Sequence, residues 1–182
     1  MISFKANFVN NTNVKCLNRN GNYKNIPVQF VELDIDSDLD METLTKVKEN
    51  WISEDDYAKK ICDDFKDYHD KIKINEAEKF YALTNQYGSC TNLDPAKILG
   101  VTQVYKDFEN SLEIVYLQTN PKYKYGTEKR EIKHIGKAII ESIKNNFKNN
   151  EIFLFTTDAG RPLYQKLGFK SVRDTVVMAL KR

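Results

Sequence analysis

Between Leu112 and Phe155 the hydrophobic period changes twice, and this restricts the possible topologies more than any other stretch of the chain. Leu112–Gln118 is a strand candidate, preceded by the turn residues of Lys106–Ser111. Ile132, Ile135, Ile139, Ile143 and Phe147 then recur at three- and four-residue spacing, the stripe of a long amphipathic helix. Glu151–Phe155 is a short, largely apolar strand. A helix between two strands of one sheet is a crossover, so those strands are expected to lie parallel. Upstream, Lys79–Thr84, Ile98–Tyr105 and Leu112–Gln118 are divided only by the turn-rich stretches Gly88–Pro95 and Lys106–Ser111, which predicts an antiparallel meander. The sheet is therefore expected to be mixed.

The remaining segments fit around it. Ile2–Val9 and Val14–Leu17 predict a hairpin turning at Asn10-Asn11-Thr12-Asn13, and Asn18–Asn25 reads as a polar loop before the alternating strand Pro27–Leu33. A first helix, capped within Ser37–Asp40, places Leu44, Val47 and Trp51 on one face. Ser53-Glu54-Asp55-Asp56 has the look of a capping box, and the second helix carries the stripe Tyr57, Ile61, Phe65 and Tyr68. After Phe155 a short helix, roughly Pro162–Leu167, is closed by Gly168 as a left-handed cap, and Thr175–Leu180 is a last strand. The expected fold is α+β, a single mixed, mostly antiparallel sheet flanked by helices. At 182 residues the chain suits one domain, with 1–25 as an N-terminal extension.

Several function classes are disfavoured. Lys+Arg total 28 against 26 Asp+Glu, so a net charge of +2 argues against a nucleic-acid partner. No apolar run reaches the ~18–20 residues of a membrane span, and Met1–Lys5 lacks the apolar core of a signal peptide. Cys16, Cys62 and Cys90 are odd in number and widely spaced, with only His69 and His134 beside them, which suits neither a disulfide framework nor a metal site. A reduced, cytoplasmic protein is expected.

The junction between strand Leu112–Gln118 and the helix beginning near Lys133 is the candidate ligand site. A helix N-terminus presents unpaired N–H groups and a partial positive charge to an anion such as phosphate. Gly136 has no side chain to keep a ligand from the backbone. From Lys122 to Lys148 eight basic residues face three acidic ones, Glu128, Glu131 and Glu141, so the local field also favours an anion. The plain alternative is a solvated helix face with an ordinary loop.

Three phrases in order add to this. His134-Ile135-Gly136-Lys137-Ala138-Ile139-Ile140-Glu141-Ser142-Ile143 resembles the G-I-G-x-A-L-L-x-x-L phrase of the GNAT superfamily of N-acetyltransferases. Leu163-Tyr164-Gln165-Lys166-Leu167-Gly168-Phe169 resembles that superfamily's F-Y-x-K-x-G-F, and Leu117-Gln118-Thr119-Asn120-Pro121 its L-x-V-x-P strand end. The likeness runs from about Lys79 to the C-terminus. It implies an acyl-CoA N-acyltransferase with acetyl-CoA as co-substrate and no metal. Leu117 and Thr119 would then hold the pantetheine arm, and Lys133, His134, Ile135, Gly136, Lys137 and Ala138 the pyrophosphate. The superfamily's R/Q-x-x-G-x-G/A loop is not matched letter for letter. Helix phase puts Glu131, His134 and Gly136 at its three marked positions, whereas the register Lys133–Ala138 fits the letters but shifts the helix. The loop from Pro121 to Gly136 is also longer than usual, with Tyr123, Tyr125 and Gly126 inserted, and Thr157 and Gly160 stand where N-x-x-A is common.

The resemblance also implies catalytic roles. Glu113-Ile114-Val115-Tyr116 resembles the E-I-V-F segment of the histone-acetyltransferase branch, which makes Glu113 the candidate general base. Tyr164 falls at the general-acid tyrosine, where a phenol of reference pKa ~10 can protonate a thiolate of reference pKa ~8.5. A solvent-facing Glu113 and a core aromatic at Tyr164 are the plain alternatives. Cys62 and Cys90 have no base beside them in the sequence, which argues for direct transfer over a cysteine acyl-enzyme. The acceptor would be a primary amine. Glu32, Asp34, Asp36, Asp38, Asp40, Glu42 and Glu54–Asp56 could form an acidic rim that attracts one, or could be helix caps and a solvated loop. A non-catalytic acyl-CoA sensor and a tRNA-acetylating toxin are the competing classes.

Overall fold

A computed structural model describes residues 6–51, 56–73, 77–106, 110–123, 130–158, 160–172 and 176–180. In chain order the elements are β1 (Asn7–Leu17), β2 (Tyr23–Leu33), α1 (Asp38–Asn50), α2 (Tyr57–His69), β3 (Glu78–Thr84), β4 (Ile98–Lys106), β5 (Ser111–Thr119), β6 (Ile132–Lys133), α3 (Ile135–Asn146), β7 (Glu151–Phe155), α4 (Arg161–Lys166), β8 (Lys170–Ser171) and β9 (Val177–Leu180). The strands form one sheet in the order β6-β1-β2-β3-β4-β5-β7-β9-β8. Every pairing is antiparallel except β5 with β7, which the α3 crossover makes parallel. The expected mixed sheet flanked by helices is the observed one.

The two sheet faces carry separate cores. One packs Leu112, Ile114, Leu99 and Leu83 of the sheet against Ile135, Ala138, Ile139 and Ile143 of α3. The other packs Val31, Phe80, Ala82 and Val101 against Leu44 and Val47 of α1 and Ile61 and Phe65 of α2. Gly100 on β4 sets how closely α3 approaches. A Cβ at this position would stand 2.6 Å from Cδ1 of Ile139 and 3.2 Å from both Cγ2 of Ile135 and the Gln118 carbonyl oxygen. The absent side chain thus lets the first turns of α3 lie directly on the sheet beside the end of β5.

Helix starts are built differently in α1 and α2. Ser37 caps α1, its Oγ accepting from the Asp40 N–H at 3.3 Å. Asp56 begins α2 in a left-handed conformation without a side-chain cap; instead Oε1 of Gln118, from β5, accepts the Ala58 N–H. The expected capping residues Ser53–Asp55 lie outside the described residues.

Several expectations need correction. Asn10–Asn13 do not turn: β1 is continuous with a bulge between Phe8 and Asn10, and pairs with β2 through Leu17↔Tyr23. The hairpin turn is at residues 18–22. There Oδ1 of Asn18 accepts from the N–H groups of Asn20 and Asn22, and Gly21 takes φ 78°. Residues 1–5 lie outside the described set. Ile132 belongs to β6, pairing with Cys16, so the helix begins at Ile135 and not near Lys133. The two-residue strand β8 was not anticipated. Among the described residues no helix is long and apolar enough to cross a membrane.

Candidate active site

The site begins with one extra residue. Gln103 of β4 faces Tyr116 of β5, but Val104 faces Ile114, so Val115 is a bulge. The parallel ladder between β5 and β7 runs only from Ser111↔Glu151 to Ile114↔Leu154. Beyond it β7 continues with β9, through Phe155↔Val177, and leaves β5. Among the described residues no strand pairs with 115–119 on that side. A cavity of about 460 Å³ opens in the gap. The bulge also resets the faces, since Ile114 joins the α3 core while Tyr116 packs on the α2 side.

Four titratable side chains, one carboxylate and three phenols, line this cavity: Glu113 and Tyr116 from β5, Tyr57 from α2 and Tyr164 from α4. Glu113 alternates to the face opposite Leu112 and Ile114, toward α2, and is half-buried. Tyr164 is held by its own helix end. Gly168, at φ 94°, turns the chain so that the Phe169 N–H donates to the Tyr164 carbonyl at 3.0 Å. The buried Phe169 ring then meets the Tyr164 ring edge-on at 5.9 Å. Gly160 leaves room on the other side, because a Cβ there would stand 3.1 Å from Cε2 of Tyr164. Burial, and then the neighbouring Tyr57, push the Tyr164 hydroxyl above its ordinary pKa of 10.0, so it is a protonated donor at neutral pH.

A second cavity, about 730 Å³, is lined by Arg130, Lys133, His134, Gly136, Lys137 and Lys166 among others. Leu117 and Thr119 line both cavities, so the two meet along the end of β5. The first intrahelical bond of α3 runs from the Ala138 N–H to the His134 carbonyl at 2.9 Å. The N–H groups of Ile135, Gly136 and Lys137 therefore have no acceptor within the helix. His134 caps the helix in a left-handed conformation (φ 70°), its side chain makes no capping bond, and the first turn carries no acid. Partial burial, then the charges of Lys15, Lys137, Arg130 and Lys133, lower the His134 pKa below 6.5 and keep the ring neutral near neutral pH. Glu141 pairs with Lys137 at 3.6 Å, and the excess of basic groups over acidic ones still leaves a positive field at this helix end, as anion binding requires.

No protein-family model matches the sequence, and no curated protein matches it. Solved structures are similar. A GNAT-family protein from Desulfovibrio desulfuricans superposes with a TM-score of 0.57 at 12% identity, covering 85% of this chain and 98% of that one. An acetyltransferase of the GNAT family from Staphylococcus aureus Mu50 gives 0.53 at 15%, covering 81% and 86%. AtaTR bound with AcCoA gives 0.55 at 12%, covering 84% and 92%.

The chain has the GNAT fold.

Within that fold the three sequence phrases fall on the end of β5, the start of α3 and α4. The residues singled out from sequence are brought together, with one exception in role. Glu113 and Tyr164 line the first cavity; Lys133, His134, Ile135, Gly136 and Lys137 line the second. Ala138 lies in the core and spends its N–H on His134. Ile135, Ile139 and Ile143 are buried, in the helix phase of the first loop register. Lys133 is partly engaged, its Nζ standing 3.7 Å from the Tyr23 ring centroid. Tyr125, Gly126 and Glu128 of the long loop lie outside the described residues.

Of the acidic residues that could form a rim or serve as helix caps and a solvated loop, Glu54 and Asp55 lie outside the described residues and the described ones do not gather at the groove. Asp36 pairs with Lys71, Asp38 with His69, Glu42 with Lys46 and Glu32 with Lys79. Asp40 is buried: one oxygen accepts the Asp34 N–H at 2.9 Å, the other has no partner among the described residues, and burial pushes its pKa up to about 6. None of these lines either cavity. Cys62 and Cys90 line neither cavity, and burial raises both thiols. Tyr57, Tyr116, Gln118 and Gly100 were not singled out from sequence as parts of the site. Only Gly100 carried a signal, a glycine inside an apolar strand.

Proposed function

We propose that this chain is an acetyl-CoA-dependent N-acetyltransferase that moves an acetyl group directly to a primary amine. The observation that carries the reading is the union of the two cavities along Leu117 and Thr119. One end offers the uncapped start of α3 amid basic side chains, and the other holds a carboxylate and a half-buried phenol. The open edge of residues 115–119 suits an extended pantetheine arm, hydrogen-bonded like an added strand. A backbone N–H on that edge would stabilise the tetrahedral oxyanion. Glu113, directly or through water, takes the amine proton, and Tyr164 gives its proton to the departing thiolate. Holding both reactants in one groove supplies much of the acceleration. We place the enzyme in the cytoplasm, as one domain with residues 1–25 as its N-terminal extension.

The test pairs binding with turnover. Acetyl-CoA at about one hundred times its Kd should raise stability by ~2.7 kcal/mol, and a panel of amines should release coenzyme A thiol. Tyr164→Phe should lower turnover by ~10²-fold or more while leaving acetyl-CoA affinity nearly unchanged. Tight binding without thiol release from any amine would favour a sensor and defeat the enzymatic reading.

A further inference from the structure

One lysine of the chain stands beside the cavity that the proposed reaction would use. The Tyr57 and Tyr116 rings are stacked, with centroids 5.6 Å apart and planes at 24°. Both line the cavity that holds Glu113 and Tyr164. Nζ of Lys60, one turn along α2 from Tyr57, lies 5.4 Å from each ring centroid. Cation–π attraction to two rings holds the ammonium there. Among the described residues Lys60 has no carboxylate within ion-pair distance, whereas its neighbour Lys59 pairs with Asp56 at 3.7 Å. Lys60 is exposed, so its amine is reachable from the cavity mouth. Glu113, the candidate base, lies on the same face of the sheet.

We infer that Lys60 is an acetyl acceptor in cis, a self-modification site at the acceptor side of the cavity. This rests on the acetyltransferase reading above. The Lys60 ammonium first loses a proton to Glu113 or solvent. Its nitrogen attacks the thioester carbonyl carbon, the C–N bond forms, and the C–S bond breaks. The second amine proton leaves through Glu113, while the thiolate takes one from Tyr164, which is reprotonated from solvent. The net change is lysine ammonium plus acetyl-CoA to acetyl-lysine, coenzyme A thiol and one proton. The product has no charge, so it also ends the cation–π contact with Tyr57 and Tyr116.

The experiment incubates the full chain with acetyl-CoA and no added amine, and follows Lys60 and Lys59 by peptide mass spectrometry. Lys60 should gain one acetyl group about tenfold or more faster than Lys59, because only Lys60 is held beside the reacting centre. The rate should not change with protein concentration. Lys60→Arg, which keeps the cation, should remove the single-turnover thiol release yet leave stabilisation by acetyl-CoA intact. Tyr164→Phe should slow Lys60 acetylation in proportion to its effect on added amines. Equal rates at Lys59 and Lys60, or a rate that rises with protein concentration, would overturn self-acetylation while leaving the enzyme reading standing. Absence of any stabilisation by acetyl-CoA would remove both.

Discussion

Substituting Gly100 by Ala tests how the phosphate end of the groove is positioned. The new Cβ would sit 2.6 Å from Cδ1 of Ile139, roughly 1 Å inside the ~3.5–4.0 Å separation of carbon atoms at rest. Ile139 is fully buried, so its methyl cannot escape to solvent. The Gln118 carbonyl oxygen at 3.2 Å is backbone and belongs to the β4–β5 ladder, so it cannot yield cheaply. The remaining relief is for α3 to lift from the sheet. Overpacking of this kind costs ~1–3 kcal/mol. At ~2–4 °C per kcal/mol for a chain of this size, Tm should fall by ~2–12 °C. Lifting α3 also withdraws its free N–H groups from Leu117 and Thr119, so acetyl-CoA affinity should drop together with stability. Gly136→Ala is the control. Its Cβ would meet Leu163 at 3.4 Å and Thr119 at 3.8 Å, ordinary contacts, and its φ is not left-handed. Alanine in a helix gains ~0.5–1 kcal/mol over glycine, so this variant should keep or raise Tm while filling the groove and weakening acetyl-CoA. Thermal unfolding and titration calorimetry on both variants measure the two effects. A Gly100→Ala protein with unchanged Tm and affinity would refute the claim that this glycine sets the helix position.

Asp40 should make stability depend on pH in the direction opposite to a paired carboxylate. Its folded pKa of about 6 lies above the ordinary 3.8, so the favourable protonated form is fully present below pH 3.8 and lost as pH rises through about 6. Asp40→Asn should therefore be more stable than the parent at pH 7, by up to ~3 kcal/mol, with the gap closing between pH 6 and 4 in urea titrations. A gap that stays constant over that window would exclude the buried charge as its cause. Gln118→Leu removes the acceptor of the Ala58 N–H inside the protein and should cost ~1–3 kcal/mol of stability. Because this bond anchors the start of α2 beside Tyr57, faster hydrogen exchange confined to the first turn of α2 is the accompanying signature. For Tyr164, burial pushes its hydroxyl above the ordinary 10.0, so under the proposed donor role an alkaline limb in turnover below that value would belong to another group.

The crossover was legible because Ile135, Ile139 and Ile143 carry a helical period that a strand cannot accommodate, and β7 follows them as a short apolar run. The β3–β5 meander was legible because only turn-rich stretches, Gly88–Pro95 and Lys106–Ser111, divide its strands. The first hairpin was misplaced because Asn10–Asn13 have turn composition, yet β6 pairs only with Lys15 and Cys16 of β1, and Asn11 and Asn13 face solvent from a strand. The decisive turn signal was Asn18 with Gly21, whose side-chain and left-handed contributions only show once the chain is folded. Tyr164 and the α3 start were found through phrase and order. Tyr57 and Tyr116 were not, since tyrosines on a helix stripe and on a strand look alike whether they line a core or a cleft. The Val115 bulge has no compositional mark at all.

Strand β5 also acts as a ruler. Glu113 lines the cavity proposed for catalysis and Thr119 stands where it meets the cavity proposed for phosphate, six residues further on. At ~3.4 Å per residue, and somewhat less through the bulge, that is ~20 Å of rigid backbone edge. A ligand must be about as long as this interval, and extended, to touch both ends at once. Pieces of it, a short thioester or a nucleotide diphosphate alone, would each occupy one cavity weakly. Joined by a linker of the matching span they would gain the high effective concentration of a tethered pair, and linkers cut short would lose it. Molecular length is thus a selection criterion written into the sheet, separate from the chemistry at either end.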